Sequence, residues 1–283
     1  MEYCSAIGPA AYDAVVGAGR RLLVALDFDG TLAPIVEDPS AAHIHPDAAR
    51  VLDELAAEVR GIAVITGRPA RQVLALGGLD EVGDAIAEHD RELVVLGQYG
   101  NERWTSFERR VITPKPPPGL SGLIRELPRL LREAGEPDAW IEEKGLAVAV
   151  HTRRLPDPEA AFARLLPVLA EAARARRLEI EPGRKVIEIR AGGMDKGRAL
   201  AALVSELEAS AVVFVGDDLG DVPAFEAALK VRAAGFPALL VCSGSEEQRA
   251  LREIVDVVVD GPDGVMSFLR HLARDIAAAH VSK

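Results

Sequence analysis

Five short apolar runs, each cut off abruptly by polar residues, constrain the fold of this chain more than any other feature. Leu22-Leu23-Val24-Ala25-Leu26 stops at Asp27-Phe28-Asp29-Gly30-Thr31-Leu32, and Ile62-Ala63-Val64-Ile65 stops at Thr66-Gly67-Arg68. Leu93-Val94-Val95-Leu96 gives way to Gly97-Gln98-Tyr99-Gly100, Val212-Val213-Phe214-Val215 to Gly216-Asp217-Asp218, and Ala238-Leu239-Leu240-Val241 to Cys242-Ser243-Gly244-Ser245. Continuous apolar runs of this length, separated by helical patterns, read as strands of a parallel sheet covered on both faces. In such sheets ligands bind beyond the carboxyl ends of the strands, where these polar residues fall. Asp29-Gly30 taken alone reads as a turn. Its recurrence beside other polar strand ends reads as a site, because paired carboxylates at a buried strand end are costly unless a cation or a reacting group is there.

The spacing predicts an α/β, Rossmann-like parallel-sheet core. A helix is expected over 46–59, with Pro46 in its first turn and Val51, Leu52, Leu55 and Val59 on one face. The strand at 61–65 then completes a right-handed βαβ unit. Thr113-Pro114-Lys115-Pro116-Pro117-Pro118-Gly119 is an extended, semi-rigid spacer and reads as a hinge out of the core. Beyond it, a helix over 120–134, a strand pattern over 139–152, a helix over 158–176 and two short strands over 178–190 follow. That α-β-β-α-β-β order implies a smaller α+β domain at 116–188, inserted between core segments 1–115 and 189–283. Asp195 is placed to cap the next helix, whose apolar face is Leu200, Leu203, Val204 and Leu207.

Composition excludes several classes of function. A net charge of -11 repels nucleic acid, and only 4% aromatic residues leave few platforms for stacked bases. A small anionic substrate stays compatible, since a cation and a few local positive charges reverse the sign inside one cleft. Cys4 and Cys242 are too few for a disulfide framework, and the start of the chain lacks a basic signal-peptide region. No apolar run is long enough to span a bilayer, so a cytoplasmic protein without membrane or nucleic-acid partners is expected. His43 and His45 read as loop histidines, because a zinc site needs further ligands.

The order and spacing of Asp27-Phe28-Asp29-Gly30-Thr31-Leu32, Thr66-Gly67-Arg68, the 183–190 segment leading to Asp195-Lys196-Gly197, and Gly216-Asp217-Asp218-Leu219-Gly220-Asp221 carry a resemblance over nearly the whole chain. The chain resembles the haloacid-dehalogenase superfamily of phosphatases, and within it the trehalose-6-phosphate phosphatase family. This resemblance implies a core with an inserted α+β cap, and Mg²⁺-dependent hydrolysis of trehalose 6-phosphate. Phosphoryl transfer needs an in-line nucleophile and positive charge around the equatorial oxygens. The resemblance makes Asp27 the nucleophile that forms an aspartyl-phosphate, and Asp29 the acid and then the base, a role in which Asp29 must hold a proton. It also implies Mg²⁺ on the Asp27 carboxylate, the Asp29 carbonyl and Asp217, with Asp218 and Asp221 at the edge of the metal site.

Thr66 reads either as a helix cap or, with Gly67, as a phosphate contact at a strand end. Lys196 opens a helix, where its charge opposes the local dipole; a phosphate between the two accounts for that placement. Asp221 also reads as a plain helix cap ahead of Val222-Pro223, which is compatible with the site role. Glu142 and Lys144 share a strand face and read from spacing as a solvated charge pair; the resemblance makes them, with Arg153, Glu181, Lys185 and Glu188, the residues that read the sugar. Tyr99 stands where the family usually has histidine, and Gly220 and Val222 replace a frequent threonine and acid. The expected partner is a small sugar phosphate and the expected state a monomer. Sucrose phosphate and mannosyl-3-phosphoglycerate are the alternative substrates, and a non-catalytic sugar-phosphate-binding regulator is the alternative class.

Overall fold

The computed structural model describes residues 1–244 and 251–281, and Ser245, at the end of the fifth polar run, lies outside them. The chain divides into two units, Met1–Thr113 with Asp195–Lys283, and Pro114–Met194.

In the first unit eight strands form one sheet in the order β1 (Glu2–Tyr3), β12 (Val257–Val259), β11 (Ala238–Ser243), β10 (Ala211–Gly216), β2 (Leu22–Leu26), β3 (Gly61–Ile65), β4 (Leu93–Gly97), β5 (Glu102–Thr105). The strands from β12 to β4 are parallel, and the edges β1 and β5 are antiparallel. From β2 the chain moves outward through β3 and β4; it later resumes on the other side of β2 with β10 and moves out through β11 and β12. The direction of winding therefore reverses between β2 and β10, and at such a switch point the strand ends open a crevice. Val215 lies opposite Leu26 in the parallel register, so these two strands finish side by side.

The continuous apolar runs have a direct cause: both faces of the sheet are covered. Leu22, Val24 and Leu26 face α1 (Gly8–Ala18), α2 (Ala48–Ala56), α3 (Ala70–Gly77), α4 (Leu79–Ala87) and the final helix, Gly261–Val281. Leu23 and Ala25 face α7 (Lys196–Glu206) and α8 (Val222–Ala233), where Phe214 and Phe225 meet edge to face at 5.1 Å. The first helix after β2 is shorter than its apolar spacing predicts. Ala48 N–H closes a turn on His45 O, which leaves Pro46 outside the helix, although Val51, Leu52, Leu55 and Val59 are all buried as expected.

The second unit is a four-stranded antiparallel sheet in the order β6 (Trp140–Glu143), β7 (Ala147–His151), β9 (Val186–Ala191), β8 (Leu178–Gly183), with α5 (Leu120–Glu133) and α6 (Pro158–Arg174). Val148, Val150, Ile187 and Ile189 pack with Leu123, Leu127, Leu165 and Leu169 of the helices, so alternate strand residues are apolar and the intervening ones face away. Asp157 caps α6 through Ala160 N–H at 3.1 Å. The unit runs to Met194 rather than ending at 188, because β9 stays paired with β7 and β8 to Arg190 and Ala191 and the Arg190 guanidinium binds Met194 O. No helix among the described residues is long and apolar enough to cross a membrane.

Candidate active site

The carboxyl ends of β2 and β10 bring three buried aspartates together. Asp27 follows β2 directly and its N–H donates to Val215 O at 2.8 Å, which holds it against the neighbouring strand. Asp27, Asp217 and Asp221 each offer an oxygen within 4.8 Å of the others. Lys196, the first residue of α7, places Nζ 2.6 Å from Asp27 Oδ1 and 2.7 Å from Asp221 Oδ1. All four side chains are buried, so three carboxylates face one ammonium away from bulk water. Burial works against the charge of Lys196, but Asp221 and Asp27 outweigh it and hold the ammonium above the ordinary lysine range. Burial likewise pushes Asp27 well above the usual carboxylate range, opposed by Lys196, and pushes Asp217 up to about 9 with help from the Asp27 charge.

A divalent cation resolves that conflict. The donor set is all carboxylate oxygen, which suits a hard cation, and two positive charges balance what Lys196 leaves uncompensated. Asp217 and Gly30 are also fitted closely: Gly30 has φ +71°, and a Cβ there would lie 2.2 Å from Asp217 Oδ2. Asp221 serves differently from the other two acids. Its Oδ1 accepts from Lys196 and its Oδ2 from the N–H groups of Asp217 at 2.9 Å and Asp218 at 3.3 Å. With Asp218 accepting from Gly220 N–H at 2.9 Å, this closes a reciprocal capping box around the 219–221 turn. Asp221 makes no side-chain cap to α8, so the plain helix-cap reading fails; the carboxylate turns back to the strand end instead.

Asp29 is held outside this cluster. Its two oxygens accept from Arg68 Nε at 2.6 Å and Nη2 at 2.7 Å, a bidentate pair, while Arg68 Nη1 reaches Pro39 O at 2.7 Å. Thr66 does not cap α3. Its Oγ1 accepts from Arg68 N–H at 3.1 Å, shaping the turn beyond β3, and Ala70 N–H of α3 is bound instead by Glu102 at 2.7 Å. Tyr99, in a left-handed conformation with φ +60°, packs on Gly67 so closely that a Cβ on that glycine would lie 2.9 Å from the phenol oxygen. The sequence by itself gives Arg68 and Ser243 no role, although both sit in the polar strand-end runs. Ser243 Oγ donates to Gly30 O at 2.6 Å and so supports the Asp29-Gly30 turn from β11.

The residues expected to read a sugar all lie in the second unit, and the structure brings only some of them together. Glu142, Ala149, Glu188 and Glu181 stand in one cross-strand row on the face away from the helices. Lys144 Nζ is 2.7 Å from Glu188, and Arg190 is 3.0 Å from Glu181. Glu142 pairs with His151 across the strands at 2.8 Å. Lys185, in the β8–β9 turn, reaches Glu159 of α6 at 3.1 Å, and Arg153 is exposed in the loop after β7; neither joins the row.

A family model for trehalose-phosphatase matches residues 25–254. A probable trehalose-phosphate phosphatase 9 of Oryza sativa subsp. japonica is 31% identical, over 98% of this chain and 76% of its own length. Trehalose-phosphate phosphatase B of Arabidopsis thaliana is 29% identical, over 92% of this chain and 69% of its own. Among solved structures, the C-terminal domain of C. albicans trehalose-6-phosphate phosphatase superposes with a TM-score of 0.72 at 20% identity, covering 96% of this chain and 98% of that one. With the aspartate cluster at the switch point of a parallel α/β sheet, these matches place the chain in the trehalose-phosphatase family of the haloacid-dehalogenase superfamily.

Proposed function

We propose that this protein is a Mg²⁺-dependent phosphatase that hydrolyses trehalose 6-phosphate to trehalose and phosphate in the cytoplasm. The observation that carries the reading is Asp27, buried at the end of β2, 2.6 Å from Lys196 and clustered with Asp217. Asp27 attacks phosphorus, the bond to the sugar oxygen breaks, and Asp29 gives that oxygen its proton. Asp29 then takes a proton from the water that attacks the aspartyl-phosphate, which releases phosphate and restores Asp27. Both Asp29 oxygens accept from Arg68, so that pair parts before the proton is delivered. Lys196 and the backbone at Thr66 and Gly67 hold the phosphate oxygens, while Asp221 keeps Lys196 and the 217–218 backbone in place and Asp218 holds the turn at Gly220. The Asp27 carboxylate, the Asp29 carbonyl and Asp217 would hold Mg²⁺, which would supply positive charge to the phosphate and keep the Asp27 and Asp217 carboxylates ionised. Glu142, Lys144, Arg153, Glu181, Lys185 and Glu188 are assigned to the sugar, and free Cys4 and Cys242 are consistent with a reducing compartment.

The test is phosphate release across a panel of sugar phosphates, with and without Mg²⁺. Trehalose 6-phosphate is expected to give the highest kcat/KM, and only with the cation. A higher value on sucrose phosphate or mannosyl-3-phosphoglycerate overturns the substrate, and binding without turnover overturns the enzyme.

A further inference from the structure

On the face of the second unit away from its helices, an imidazole and a guanidinium both lie against one indole ring. Trp140 on β6 lies directly across from His151 on β7, and their rings stack with centroids 4.4 Å apart and planes inclined by 28°. The Arg154 guanidinium lies over the same indole, 5.2 Å from its centroid. The imidazole of this stack also meets Glu142, with Nε2 2.8 Å from Oε2. Trp140 is 43% exposed, so the layer is not there to fill a core. An exposed tryptophan whose ring is occupied by a cation and an imidazole has another use, which is to hold those groups still.

We propose that Arg154, Trp140 and His151 form a positioning stack that fixes the carboxylate of Glu142 for hydrogen bonding to a polyhydroxylated substrate. A hydrogen bond joins imidazole and carboxylate, and a hydrogen bond by itself leaves the ring free to turn. Stacking on a flat indole removes that freedom, and the guanidinium in turn limits the indole. A fixed carboxylate loses less entropy when it binds a hydroxyl pair than one that must be ordered at that moment. The proposal rests on the reading that Glu142 contacts the sugar. None of the stacked residues is a catalytic residue, since each acts through Glu142.

The experiment compares Trp140→Leu, Trp140→Phe, Arg154→Ala and Glu142→Ala on trehalose 6-phosphate and on p-nitrophenyl phosphate. Trp140→Leu is expected to raise KM for the sugar phosphate on the order of tenfold, the scale of one hydrogen bond to a charged group. Its kcat on the aryl phosphate should not change. Trp140→Phe keeps a flat ring and should restore most of the affinity, while Arg154→Ala should show a smaller loss of the same kind. In a Glu142→Ala background, Trp140→Leu should add nothing. Equal losses on both substrates, no rescue by phenylalanine, or full additivity with Glu142→Ala would each overturn the stack. If Glu142→Ala alone spares the sugar phosphate, the sugar assignment fails instead. The stack is then judged by NMR, where loss of the indole in Trp140→Leu must shift the His151 ring protons, and unchanged shifts sink it.

Discussion

The acid cluster makes an unusual demand on stability that can be measured in the absence of cations. Burial, with the Asp27 charge, raises Asp217 from its ordinary 3.8 to about 9 when no cation is bound. Between those two values the folded protein holds a proton that the unfolded chain releases, so the cation-free fold loses stability as pH rises through that window. One extra proton corresponds to a slope of at most about 1.4 kcal/mol per pH unit, or roughly 2–3 kcal/mol between pH 6 and pH 8. A bound divalent cation requires the ionised carboxylate and removes that slope. The stabilisation given by saturating Mg²⁺ should therefore grow with pH, widening the gap in Tm on the order of 5–10 °C from pH 6 to pH 8. Scanning calorimetry with EDTA or with Mg²⁺ measures it, and Asp217→Asn, which cannot ionise at that position, is the control. A gap that is constant or narrows with pH, or an unchanged slope in Asp217→Asn, refutes the argument.

Asp27→Asn should leave the fold intact and reduce phosphate release by on the order of 10⁴-fold or more, as removal of a nucleophile does elsewhere; a near-normal rate removes Asp27 from that role. Gly30→Ala forces a side chain into a left-handed turn and against Asp217, so it should cost about 1–2 kcal/mol in urea unfolding and raise the Mg²⁺ concentration for half-activity. A native Mg²⁺ profile contradicts the fit of Asp217 to the cation. Lys196→Met strips from two buried carboxylates the one cation paired with both among the described residues and should destabilise by about 3–5 kcal/mol, with Mg²⁺ recovering part of the loss in the same unfolding assay. Asp29→Asn should slow a sugar phosphate far more than p-nitrophenyl phosphate, whose leaving group needs no proton; parallel losses argue against the acid role.

Most of the architecture is legible in sequence because its signals are local. Strands β2, β3, β4, β10 and β11 are continuous apolar runs, as burial on both faces requires, and the candidate site is drawn from the residues that end them. The α-β-β-α-β-β order of the second unit is equally visible, since its helices and hairpins carry their own periodicities. The far boundary falls at Met194 rather than 188 because pairing of β9 with β7 and β8, a contact between distant segments, carries the unit past Glu188.

The choice of partner for each polar side chain belongs to the tertiary structure. Chain order puts Asp27, Asp217 and Lys196 at strand and helix ends, but only the register of β2 against β10 brings the two aspartates together and only the placement of α7 delivers Lys196 to Asp27. Asp221 reads as a helix cap until Lys196 and the 217–218 backbone are seen to claim both its oxygens. Asp29 reads as half of a carboxylate pair with Asp27 until Arg68 turns it away. Glu142 meets His151, and Lys185 meets Glu159, because cross-strand register and helix placement decide which groups meet. Backbone periodicity is written residue by residue along the chain; a carboxylate's partner is whichever donor the packing of distant elements delivers to it.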